Sequence, residues 1–233
     1  MKTMKKTVIL SLSCFLFQYV PSLAAAAGTL EPTLLQLQQG WAKANYATPE
    51  KAQEKAFDTL VKQADALVRD YPSHAEPLVW KAIILSTEAG VVGGLGALGE
   101  AKQARKLLEQ AEALDAETLQ GSVYTSLGSL YYKVPGWPIG FGDDDKAGEL
   151  LKKALAINPD GIDPNYFYAD YLFDQGDYVD ARKYAEHALT AKPRKARPLA
   201  DQGRRKDIQT LLTKLQDKLA SAKSQKHGGG LWN

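Results

Sequence analysis

Cysteine is nearly absent from this chain: of 233 residues, only Cys14 carries a thiol. It sits in an amino-terminal segment expected to be removed. The remaining chain then has no disulfide, no thiol nucleophile and no cysteine-based metal site, so helix packing alone must hold it together. Histidine is scarce as well. His74, His187 and His227 stand far apart, none in an H-E-x-x-H pattern and none beside a nucleophile. No catalytic residue, cofactor or metal is therefore expected. Asp143-Asp144-Asp145 are contiguous and lack the alternate spacing of a calcium loop. Runs that alternate apolar and polar residues are missing too, so nothing reads as a strand. A long apolar run is also absent, since Val8 to Val20 is short for a membrane span.

What the amino terminus does contain points to export. Lys2, Lys5 and Lys6 precede the apolar stretch, and Pro21-Ser22-Leu23-Ala24-Ala25-Ala26-Ala27 follows with small residues suited to a signal peptidase. Residues 1–26 are expected to be a signal peptide, cut after Ala26, with Ala24 and Ala27 as alternatives. The mature protein is expected in the periplasm, with no integral membrane segment after processing. Removing three lysines and no acid changes the net charge from +2 to −1. That charge is unevenly spread, at −9 over residues 27–191 and +8 over residues 192–226. An acidic body with a basic tail can attract a cationic partner, an anionic surface or its own other half. A nucleic-acid partner is excluded by the acidic body.

The strongest internal pattern is a repeat. Ala147, Leu151, Ala154 and Pro159 recur 34 residues later as Ala181, Ala185, Ala188 and Pro193. Tyr124, Leu127, Gly128 and Tyr131 stand ahead of the first set, and Asn165, Tyr168, Ala169 and Leu172 ahead of the second. The small residues mark where two helices cross too closely for a longer side chain, and the large ones fill the space beside them. This period and pattern resemble the tetratricopeptide repeat (TPR). The resemblance implies an all-α, TPR-like α-solenoid of three to four helix pairs, acting as an interaction scaffold without enzymatic activity. Small exported bacterial TPR proteins are similar in their long turns. A weaker similarity links the chain to the T-component of TRAP transporters, although Ser11 stands where a lipobox before Cys14 would want leucine.

The expected organisation is a signal peptide over 1–26 and helical repeats over 27–193. A capping helix over 194–220 and a disordered tail over 221–233 follow. Thr48-Pro49-Glu50 reads as a helix start with Thr48 as N-cap. Ala82 to Ala104 and Gly128 to Ala147 are spaced more widely than Ala169 to Ala181. The extra residues are expected in the turns between paired helices, projecting from one face. One of these turns, Gly94-Leu95-Gly96-Ala97-Leu98-Gly99, fits G-x-G-x-x-G, but a helix and not a strand precedes it, so dinucleotide binding is excluded. The other carries Trp137 and Phe141, which either plug a gap between repeats or form a rim over the groove.

The concave groove is the candidate site. Trp41, Tyr46, Tyr132, Trp137, Phe141, Tyr166, Asp170 and Asp174 are its candidate partner-binding residues, with Asp163 and Phe173 beside them. Tyr166, Asp170 and Asp174 share one helical stripe, where aromatics and carboxylates would hold a basic peptide or a cationic small molecule. The alternative is that Arg204, Arg205 or Lys206 of the capping helix fills the stripe. The expected partner is a periplasmic or envelope protein or peptide. The second reading is an oligomeric accessory of a solute-uptake system, binding a small molecule beside a solute-binding protein.

Overall fold

A computed structural model describes residues 29–228. Residues 1–28, which include the expected signal peptide, and the last five residues lie outside the described residues. Nine helices and no strand occur among them: α1 Leu30–Tyr46, α2 Glu50–Asp70, α3 Ala75–Val92, α4 Gly94–Leu114, α5 Thr118–Lys133, α6 Asp144–Ile157, α7 Ile162–Asp174, α8 Tyr178–Leu189 and α9 Pro198–Gly228. They pack as four consecutive antiparallel pairs, each against the next, and α9 closes the series against α8, α7 and α1.

Small residues set the pair geometry. A Cβ on Gly128 of α5 would stand 2.6 Å from the Leu151 side chain of α6, so only glycine fits there. Ala82, Ala104, Ala147, Ala169 and Ala181 are fully buried at the corresponding crossings. The first pair follows the same rule with different residues. Gly40 faces Leu60 at 2.8 Å from its virtual Cβ, and Phe57 is fully buried seven residues ahead of Ala64, where other pairs use alanine. Apolar stripes on each pair merge into three adjoining cores, which run from α1–α3 through α3–α6 to α6–α9.

Three local expectations are corrected. The extra residues after Ala82 do not form a projecting turn. They lengthen α3 to 18 and α4 to 21 residues, against 13 and 12 in α7 and α8. Apolar Val91 and Val92 continue α3, and the reversal takes only Gly93 and Gly94, whose φ angles of 66° and 69° suit glycine. Thr48 is not an N-cap: its hydroxyl donates back to the Lys43 carbonyl at 3.0 Å, and α2 begins after Pro49. The capping helix does not stop at 220 but runs to Gly228.

The insertion between α5 and α6 does form a loop, over residues 134–143. The Gly142 amide donates to the Pro135 carbonyl at 3.0 Å, and Ile139 and Gly140 both donate to Gly136 at 3.1 Å. Asp143 donates its amide to Tyr131 at 2.9 Å and caps α6 by accepting from the Lys146 amide at 3.0 Å.

Candidate functional site

The first helices of the pairs neighbour one another along one side of the array, and α9 lies against two of them, α1 and α7. Asp163, in the first turn of α7, accepts from Arg194 at 2.7 Å and Arg204 at 2.9 Å. Arg194 also holds Asp201, donating from its side chain and its amide at 2.6 Å each. Arg204 reaches Asp207 at 3.1 Å, and Asp207 accepts the Tyr46 hydroxyl at 2.8 Å. The first and last helices of the array are thus linked through side chains on α1, α7 and α9. Charge-assisted bonds with little water around them are the stronger kind. Burial pulls the Asp163 carboxyl up, but the Arg204 and Arg194 guanidiniums hold it well below the usual carboxylate range. Arg205 caps α8 instead, donating to the Leu189 and Ala191 carbonyls at 2.6 and 2.7 Å.

This arrangement places two of the candidate groove residues, Tyr46 and Tyr166, under α9. Gly203 rests on the Tyr46 ring so closely that any Cβ would overlap it. The Arg204 guanidinium lies 4.4 Å from the centre of the Tyr166 ring and 4.7 Å from that of Phe167. Trp41 is buried, edge-on to Tyr46 and Trp80, with its indole N–H donating to Thr87 at 2.9 Å. Arg197 covers Trp80 at 4.8 Å.

Further along the same stripe, the groove is ordered by a residue of α5 and not by α9. Lys133 reaches Asp170 at 2.8 Å and Asp174 at 2.9 Å, while Tyr132 donates to Asp170 at 2.9 Å. Burial and the Asp170 charge push the Tyr132 hydroxyl well above its ordinary range. Burial would lower Lys133, but hydrogen bonds to the two carboxylates raise it, so it stays cationic. The capping helix therefore docks on Asp163 and Tyr166, and Asp170 and Asp174 face Lys133. Two carboxylates sharing one lysine leave a net negative charge at this end of the groove.

Trp137 and Phe141 part company. Phe141 is half-buried, edge-on to Tyr131 with ring centres 5.6 Å apart, and the Arg105 guanidinium lies 4.4 Å above it. Trp137 points outward and is 90% exposed. The structure thus brings together Tyr132, Asp170 and Asp174, and separately Trp41, Tyr46 and Tyr166; Trp137 and Phe141 lie on the edge. Sequence reasoning did not single out Arg194, Asp201 and Asp207 as parts of the α9 junction. The signal that points to them is Arg194 set seven residues before Asp201, across a proline-bounded turn.

Residues 139–215 match the family model for the tetratricopeptide repeat. No curated protein matches the chain. Among solved structures, a thermophilic TPR protein of Thermus thermophilus is similar over 79% of this chain and all of its own. The two are 16% identical, with a TM-score of 0.53. MamA covers 88% of this chain and 98% of its own at 17% identity and a TM-score of 0.42. PilF of Pseudomonas aeruginosa covers 83% and 91% at 18% identity and 0.34. The repeat match and the shared helix-pair fold agree with the crossing residues and their burial. Residues 139–215 are tetratricopeptide repeats by that match, and the described residues form an all-α, TPR-like solenoid closed by a long capping helix.

Proposed function

We propose that this protein is an exported, non-enzymatic scaffold of the periplasm that holds a protein or peptide partner in the part of its concave groove left open by α9. The fold supports an interaction scaffold. The observation that carries the groove reading is the pair Asp170 and Asp174, four residues apart on α7. They are flanked by Tyr132 and Tyr166 and, among the described residues, are ion-paired with a single cation, Lys133. A partner's arginine or lysine entering there gains a carboxylate and an aromatic face together. Asp174 is exposed, so a partner can reach it.

The test is affinity capture from a periplasmic extract with the parent protein and with Asp170→Asn/Asp174→Asn. Loss of the captured partner with unchanged helix content supports the groove. Equal capture by both proteins removes the groove from the proposal. Mass measurement of the exported chain checks processing, and an unprocessed amino terminus would refute the export reading.

A further inference from the structure

The charges of α9 divide in two. Arg194, Arg204 and Arg205, around its first half, are held by Asp163, Asp201, Asp207 and the carbonyls ending α8. Lys214 and Lys218, further on, are exposed and make no ion pair among the described residues. They line a shallow cleft of about 410 Å³ with Phe173, Asp217 and Ser221. An aromatic wall beside two ammonium groups can receive an aromatic ring and an acidic neighbour.

The protein presents such a group itself. The loop over 134–143 holds Trp137 out at 90% exposure and Ile139 at 68%. Its shape is fixed from within by the hydrogen bonds to Pro135 and Gly136 and by Phe141 under Arg105. A rigid exposed indole loses little freedom on binding. Asp144 and Asp145 follow it, both exposed and without ion pairs among the described residues.

The base of the loop and the base of the cleft meet at one ion pair. Lys133, one residue before the loop, is bonded to Asp174, one residue after Phe173. A donor and an acceptor joined at their bases permit a two-fold contact in which each is used twice, so the contact closes on itself. We propose that loop and cleft together form a self-association surface. Trp137 of one copy seats in the cleft between α7 and α9 of a second copy. Asp144 and Asp145 there meet Lys214 and Lys218, and the second copy does the same in return.

Sedimentation velocity of the full chain across concentration and salt tests this. The expected result is a protomer–dimer equilibrium that weakens as salt rises, because the exposed charges are screened. Trp137→Ala should raise the dimer dissociation constant by about tenfold or more, with an unchanged helix spectrum. Asp144→Lys/Asp145→Lys and Lys214→Glu/Lys218→Glu should each weaken the dimer alone and restore it when combined. A protein that stays monomeric at every soluble concentration overturns the proposal. So does a larger assembly, or a dimer indifferent to Trp137→Ala or not recovered by the charge exchange. A monomer whose Trp137 fluorescence shifts only on zwitterionic lipid vesicles would assign the loop to a membrane surface and also overturn it. None of these changes touches Asp170, so the groove reading stands or falls separately.

Discussion

Glu88 is a carboxyl with only 5% of its surface exposed, on α3 and within reach of carboxylates from two neighbouring helices. Burial comes first among the forces that raise it to about 7, followed by Glu100 of α4 and by Asp58 and Glu54 of α2. Asp58 acts on Glu88 both through its charge and as a hydrogen-bonding neighbour, and burial raises Glu100 as well. The sign of the stability effect follows directly. An unfolded Glu88 releases its proton near the ordinary glutamate value, whereas the folded one keeps it until about pH 7. The unfolded chain therefore binds fewer protons through that interval, and stability falls as pH rises through it. The expected loss is on the order of 1–3 kcal/mol, the upper figure being that of an unscreened shift of this size. Melting temperatures between mildly acidic and mildly alkaline pH check this. Glu88→Gln should be flatter across that range and more stable than the parent above pH 7. An equal slope in the two proteins would show that Glu88 is ionised in the fold.

At the scale of the helix, the decisive contact is that of α9. Breaking a buried ion pair by removing one partner leaves the other charge stranded, at a cost of about 3–5 kcal/mol. Arg204 bridges Asp163 and Asp207 with little solvent around it, so Arg204→Ala should lie in or somewhat below that range. A double-mutant cycle locates the coupling. Asp163→Asn and Arg204→Ala should be non-additive by about 0.5–3 kcal/mol. Asp170→Asn/Asp174→Asn should add to Arg204→Ala without coupling, because their cation is Lys133. Chemical denaturation of the single and combined variants reads both outcomes, and coupling to Asp170 in place of Asp163 would contradict this docking.

The same helix shows where sequence reasoning stops. Gly128, Ala147, Ala169 and Ala181 were legible because a close crossing between sequence neighbours admits nothing larger, which the repeat displays directly. The first pair hides that signal by moving bulk from one side of the crossing to the other, with Gly40 opposite a helix that carries Phe57. The glycine-rich stretch after Val92 resembled a loop by composition. Nevertheless two glycines suffice for the turn, and those at 96 and 99 sit in α4 with no neighbour within 4 Å of their virtual Cβ positions. Among the candidate site residues, the stripe on α7 followed from helical spacing. The identity of its cation did not, because Lys133 and Arg204 reach it from opposite directions in sequence.

Over the whole molecule, the contact between α9 and α1 alters how the array should open. In a linear stack of repeats each unit meets only its neighbours, so the ends fray independently. Here Tyr46 near the end of α1 donates to Asp207 of α9 and lies beneath Gly203, while Gln39 reaches the Ala196 carbonyl at 3.0 Å. The first pair is therefore held by the last helix as well as by α3. Amide hydrogen exchange, which reports local opening, should reveal that link. Weakening the junction with Arg204→Ala should speed exchange in α1 as well as α9, although Arg204 makes its direct ion pairs with α7 and α9. Exchange in α5 and α6, packed between neighbours on both sides, should change least. The reciprocal change, Tyr46→Phe, removes only the hydroxyl and should loosen α9 from the opposite end. Faster exchange confined to α9 in both variants would mean that the ends open independently and that the α1–α9 contact does not couple them.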